Sequence, residues 1–90
     1  MRLSKEKRDK ISEQILSWLY HSFPKQLFTA EIARESARDE EFVKTILYEL
    51  KERGLVVSIK KNETGKLFVR RVRWQLSPQA YQAYHQKVKL

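Results

Sequence analysis

The sequence predicts an α+β fold that is mainly α-helical, and three observations lead to it. Apolar residues recur at three- and four-residue spacing in four segments, the pattern of amphipathic helices. Two runs with β-branched residues flank Asn62-Glu63-Thr64-Gly65, a turn signal typical of a hairpin. The two glycines and two prolines fall where elements end or turn. A chain of 90 residues has the size of one domain, so a single domain over 1–90 is expected.

The first helix is predicted over about 4–22. Ser4 is a suitable N-cap, and Pro24 ends the helix because the residue before proline is pushed out of the α region. One apolar stripe supports this helix and is expected to face the core: Ile11, Ile15, Trp18 and Leu19.

Two shorter helices follow. After a short extended piece, Thr29 is the predicted N-cap of a helix over about 30–35. A tight turn leads to Asp39, the predicted N-cap of a helix over about 39–53. This third helix ends at Gly54, a residue type suited to the left-handed position after a helix.

A hairpin is predicted over about 55–76, followed by a last helix over about 78–88. Ser77-Pro78 indicates the start of that helix, with serine as the cap and proline in the first helical position. In the return strand Arg70 breaks the alternation, so it lies beyond the core edge or marks a bulge. The alternation predicts one inward face and one outward face: Phe68, Val72, Trp74 and Leu76 inward; Arg71, Arg73 and Gln75 outward.

Positive charge is concentrated in the second part of the chain. Residues 1–54 contain 11 Lys or Arg and 10 Asp or Glu, whereas residues 55–90 contain 8 and 1, and the total is +8. Such a concentration attracts polyanions, and arginine binds phosphate through two nitrogens. The alternative is a solvated, charged edge that prevents sheets from aggregating.

The order of elements resembles the winged helix-turn-helix family of DNA-binding domains. Four stretches carry the likeness: Phe28 to Ala33; Val43, Ile46, Leu47 and Leu50; Gly54-Leu55-Val56; and Trp74 to Ser77. The resemblance implies that the third helix lies in the DNA major groove. It also implies that the hairpin, called the wing in this family, reaches the backbone or minor groove through residues 60–70.

Nucleic-acid contacts are therefore expected on the third helix and the wing. Lysine, arginine, amide and hydroxyl groups are the usual partners of phosphate oxygens. For Lys44 and Tyr48 the alternative is a solvated face on which the tyrosine packs against the lysine stem. The candidate residues are Lys44, Thr45, Tyr48, Lys51, Lys60, Lys61, Asn62, Thr64, Lys66, Arg70, Arg71 and Arg73.

The predicted function is a double-stranded DNA-binding transcriptional regulator or architectural factor. The third helix departs from a typical DNA-reading helix, because residues 39–53 hold three basic side chains against five acidic ones. That balance favours a second hypothesis, a winged-helix module that binds a protein partner within a larger complex. RNA is a minor alternative, and so is Z-form duplex: Tyr48 matches the tyrosine of the Z-binding branch, but Lys44 stands where that branch has asparagine.

The last helix carries a stripe formed by Tyr81, Tyr84 and Val88. This stripe leaves two alternatives open, a homodimer contact or packing on the first helix. Neither His21 nor His85 has a motif partner, and the chain has no cysteine and no HExxH spacing. We therefore expect no enzyme activity, no metal and no cofactor. No signal peptide or membrane span is apparent, so a cytoplasmic location, with nucleoid association as an option, is expected.

Overall fold

The computed structural model describes residues 4–60 and 72–88. The helices and strands of this described part confirm the α+β, mainly helical prediction. The strands form an antiparallel sheet in the order β1-β3-β2. In chain order the elements are α1 (Lys5–Ser22), β1 (Leu27–Phe28), α2 (Thr29–Ser36), α3 (Glu40–Glu52), β2 (Val56–Ile59), β3 (Arg73–Leu76) and α4 (Pro78–Val88).

Three of the predicted helix caps are confirmed. The side-chain oxygens of Ser4, Asp39 and Ser77 each accept a hydrogen bond from the backbone N–H three residues later, at 3.3, 3.2 and 3.1 Å. Each bond satisfies an amide that has no partner inside the helix. These local bonds set the starts of α1, α3 and α4.

The prediction that Thr29 caps the second helix is wrong. Phe28 is the N-cap, in extended conformation, and its N–H donates to the Glu31 carboxylate at 2.9 Å. Thr29 is the first residue of α2, and its hydroxyl accepts a hydrogen bond from Trp74 Nε1 at 2.7 Å. The physical reason is that a buried indole N–H needs an acceptor, and the hydroxyl of Thr29 supplies it.

The end of α3 directs the chain into the sheet. Gly54 has a φ of 76°, the left-handed conformation predicted for it. Its N–H donates to Lys51 O at 2.9 Å, and the N–H of Leu55 donates to Leu50 O at 3.0 Å, which together form a Schellman motif. Ser77 Oγ donates to Gly54 O at 2.8 Å, so the start of α4 is joined to this turn.

One apolar core lies between the helices and the sheet. Trp74 is fully buried in the central strand, whereas Trp18, expected in the core, is half-buried and packs against the edge of the buried cluster. The predicted alternation is confirmed for Trp74 and Leu76, which are buried, while Arg73 and Gln75 are half-buried on the other face. The buried hydrophobic residues are Ile11, Ile15, Leu19, Ile32, Ala33, Val43, Ile46, Leu47, Leu50, Val56, Trp74 and Leu76.

Candidate nucleic-acid interface

The outer side of α3 presents part of the predicted contact set. Lys44, Thr45 and Lys51 are exposed. The hydroxyl of Thr45 donates to Glu41 O within the helix at 3.0 Å, and hydroxyls in this position keep acceptor capacity toward solvent. These three side chains are thus available to a ligand that approaches the outer side of α3.

Tyr48 was expected on the solvent side of α3 but is half-buried. Its ring meets the Trp74 ring edge-on, with centroids 5.3 Å apart and planes at 90°. Lys51, rather than Lys44, lies over the Tyr48 ring, with Nζ 5.8 Å from its centroid. Tyr48 therefore packs against the sheet, while Lys44 and Lys51, about one turn before and after it on the helix, stay exposed.

Two of the five acidic residues in segment 39–53 have partners within the chain. Asp39 is engaged as the N-cap, and Glu49 forms an ion pair with Arg8 of α1. The flank of the helix that carries Glu49 therefore faces α1. All the charged residues of 39–53 are exposed, Asp39 and Glu49 included, and the other six comprise three acidic and three basic residues: Glu40, Glu41, Glu52, Lys44, Lys51 and Arg53.

Two predicted cations lie on the stem of the hairpin, which we define as β2, Lys60, Val72 and β3. Lys60 is exposed directly after β2. Arg73 was expected to face outward, but it is half-buried, and its guanidinium carbon lies 5.9 Å from the Phe28 ring centroid. The cross-strand pairing of Arg73 with Phe28 causes this position, because it brings the cation beside the aromatic ring. Arg73 therefore lies against the start of α2.

The rest of the predicted wing contacts lie outside the described residues, as does the side chain of Val88. The inward position expected for Phe68 and the turn over 62–65 are also outside them. The contact residues concerned are Lys61, Asn62, Thr64, Lys66, Arg70 and Arg71.

Sequence reasoning missed Arg34 as a candidate contact. Arg34 is exposed on α2 and lines a cavity of about 320 Å³ together with Glu40 of α3 and Val72 of the stem. The cavity lies where α2, α3 and the hairpin meet. A single exposed arginine on a short helix carries no periodic signal, so only the packing of the three elements identifies it.

The aromatic stripe of α4 packs on α1 of the same chain. The Tyr20 ring lies 5.3 Å from Tyr81 and 4.5 Å from Tyr84, and Phe23 stacks on Tyr81 at 4.1 Å. The Tyr20 hydroxyl and His85 Nδ1 are 2.9 Å apart, a partner for His85 that the sequence did not reveal. Of the two alternatives for Tyr81 and Tyr84, the packing within the chain is the one observed.

Two other kinds of site are absent from the described residues. No group of three or more His, Cys, Asp or Glu is placed to hold a metal ion within 4–60 and 72–88. In the same residues, no helix combines the length and the apolar character needed to span a membrane.

Comparison with known proteins identifies similar solved structures. No protein-family model matches the chain, and no curated protein matches it by sequence. A mutant ZitR of Lactococcus lactis in apo form aligns with a TM-score of 0.71 at 23% identity over 93% of this chain and 58% of that one. MepR of S. aureus in complex with DNA aligns with a TM-score of 0.74 at 19% identity, over 93% and 66% of the two chains.

A third similar structure matches the chain nearly end to end. It is a protein from Ralstonia eutropha described as a candidate DNA-binding protein, with a TM-score of 0.67 at 16% identity over 88% of this chain and 95% of that one. By contrast, the chain spans less than two thirds of the ZitR and MepR chains. These alignments cover 88–93% of the chain. The chain therefore has the winged helix-turn-helix fold.

Proposed function

We propose that this protein binds double-stranded DNA as a transcriptional regulator, with α3 in the major groove and the hairpin along the backbone. The observation that carries the proposal is the contact between Tyr48 of α3 and Trp74 of β3, with exposed Lys44 and Thr45 beside it. This contact joins a helix that fits the major groove to the stem of the most basic segment of the chain.

Electrostatics supports phosphate binding led by the hairpin. Residues 55–90 carry eight basic residues and one acidic residue, whereas residues 39–53 hold five acidic and three basic residues, all of them exposed. Affinity would therefore come mainly from contacts between the hairpin and phosphates, and sequence discrimination by α3 would be modest. The DNA complex of MepR supports the choice of duplex DNA, since its fold aligns over most of this chain.

Titration of the protein against duplex DNA, single-stranded DNA and structured RNA at several salt concentrations tests the proposal. If four to six phosphates are engaged, log K against log[salt] should slope by about −3.6 to −5.4. Replacing Arg70, Arg71 and Arg73 with alanine should weaken binding to all duplex sequences and reduce the slope by about 3.

The matched control removes three exposed cations of α1, Lys5, Lys7 and Lys10, and changes the net charge by the same amount. It should alter affinity far less than the hairpin variant. Equal effects of the two triple variants would show that only net charge matters and would refute binding led by the hairpin. A stronger preference for RNA would redirect the proposal to that ligand.

A second candidate function is a module that binds a basic protein partner. The observation that favours it is the pair of exposed carboxylates, Glu40 and Glu41, at the start of α3. Carboxylates repel phosphates but attract basic protein surfaces. Recovery of one stoichiometric protein partner, together with no binding of any nucleic acid probe, would establish this alternative.

A homodimer through α4 remains a prediction. Because Tyr81 and Tyr84 already pack on Tyr20, such a contact would use the parts of α4 that stay exposed. A two-fold dimer would place two hairpins on one duplex. Light scattering at micromolar concentration distinguishes the monomer from the dimer.

A further inference from the structure

We propose that Thr29 and Trp74 are positioning residues that hold the hairpin stem at a fixed angle to α2 and α3. This inference rests on the proposed function, because the angle matters only if the helices and the hairpin engage one duplex. The side chains do not need to touch DNA, since both act through the elements that they connect.

Trp74 connects the three strands of the sheet. It lies in the central strand, where it pairs with Leu27 of β1 on one side and Ser58 of β2 on the other. Its side chain is fully buried. A rotation of the indole would therefore require movement of both neighbouring strands or of the core beneath them.

Two adjacent hydrogen bonds join β3 and the residue before it to the first turn of α2. Trp74 Nε1 donates to the Thr29 hydroxyl at 2.7 Å, and the N–H of Thr29 donates to Val72 O at 3.4 Å. Both hydrogen bonds thus link Thr29 to the hairpin stem, one to residue 72 and one to residue 74. Because they are made to both the backbone and the side chain of one residue, they restrict sliding as well as rotation of α2 against the stem.

The same indole also contacts α3. Tyr48 meets it edge-on at 5.3 Å, a favourable geometry for an aromatic pair, and Lys51 Nζ lies 5.8 Å from the centroid of the Tyr48 ring. One side chain thus touches the two helices of the helix-turn-helix and belongs to the hairpin itself. Thr29 is the acceptor that sets the rotation of the indole, since an indole has a single N–H donor.

The test compares Thr29→Val with Thr29→Ser. Valine has the shape of threonine but no acceptor, whereas serine keeps the hydroxyl. If the hairpin shifts enough to lose one or two phosphate contacts, Thr29→Val should lower duplex affinity about 8- to 60-fold at 0.1 M salt and reduce the salt slope by about 1 to 2. Thr29→Ser should keep both values close to those of the wild-type protein.

A control and a spectroscopic readout separate positioning from a general loss of stability. Ile11→Val removes one methylene from a buried residue of α1, and it should lower stability without changing the salt slope of binding. The indole N–H signal of Trp74 in ¹⁵N–¹H spectra should be protected from exchange in the wild-type and serine proteins and exchange faster in the valine protein. All titrations are made at a temperature where each variant is folded by circular dichroism.

The outcomes distinguish a failure of the proposed function from a failure of the positioning role. If the wild-type protein binds no duplex DNA, the proposed function fails, and the role of Thr29 and Trp74 in binding fails with it. If the wild-type protein binds and Thr29→Val binds with the same affinity and slope, only the positioning inference is overturned. Equal losses for Thr29→Val and Ile11→Val would also overturn it, because both would then reflect stability alone.

Discussion

Replacing Gly54 with alanine should destabilise the protein through the backbone alone. Gly54 has a φ of 76°, and among the described residues, its chain neighbours aside, no atom lies within 4 Å of the place that a Cβ would take. Steric clash with the packed helices and sheet is therefore excluded as a cause. A non-glycine residue in the left-handed region costs roughly 1–2 kcal/mol, and the smaller conformational freedom of alanine in the unfolded chain offsets about 0.4–1 kcal/mol.

The net expectation for Gly54→Ala is a loss of about 1 kcal/mol in the free energy of unfolding. For a domain of this size that corresponds to a decrease in Tm of about 4–8 °C. Urea denaturation followed by circular dichroism measures the effect, and the m-value should not change because the folded and unfolded surfaces are nearly the same. Gly54→Asn should cost less, since asparagine tolerates the left-handed region better than alanine does.

The reverse substitution, alanine to glycine at position 37, is the control. Ala37 ends α2 with a φ of 52°, so it already bears the strain that alanine would introduce at position 54. Ala37→Gly should therefore raise stability by up to about 1 kcal/mol, or leave it unchanged where chain entropy offsets the gain. If Gly54→Ala proved as stable as the wild-type protein, or less harmful than Gly54→Asn, the assignment of the cost to the left-handed backbone would be refuted.

Two further predictions concern the charge of α3 and the docking of α4. Glu41→Gln should raise duplex affinity by about two- to fivefold at low salt and by less at high salt, because a carboxylate near phosphates is removed; Glu13→Gln in α1 changes the charge equally and should have a smaller effect in the same titration. Tyr20→Ala should lower the free energy of unfolding by about 2 kcal/mol through lost ring contacts with Tyr81 and Tyr84, whereas Tyr20→Phe should cost only about 1 kcal/mol for the hydrogen bond to His85. Urea denaturation compares the two, and equal losses would show that the hydroxyl, not the ring, holds α4 on α1.

The helices could be predicted because their signals act over a few residues. Asp39 bonds to an amide three positions later, and Gly54 adopts its left-handed conformation at the end of the same helix. Thr29 shows the limit of such reasoning. Its residue type suits a helix cap, but the acceptor is used by an indole 45 residues away in the chain. A local pattern cannot include a partner at that distance.

The candidate site was predictable in composition but not in arrangement. Lys44 and Thr45 are exposed as expected, because helical spacing places them away from the apolar stripe. Tyr48 is half-buried because the sheet brings Trp74 against that flank of α3. Likewise, the sequence shows the acidic excess of residues 39–53 but not the ion pair between Glu49 and Arg8 of α1, because that pair depends on how the two helices pack.

Periodicity, caps and turn residues thus specify where helices and strands begin and end, because hydrogen bonds and side-chain spacing within one element suffice for that. They also locate the basic charge in the second part of the chain. Only the packing of the elements against one another determines which side chains contact each other across the core. The indole of Trp74 contacts Thr29 and Tyr48, and the Tyr20 ring contacts the rings of α4. Burial restricts each of these groups to the few neighbours that match its shape and its hydrogen-bonding groups.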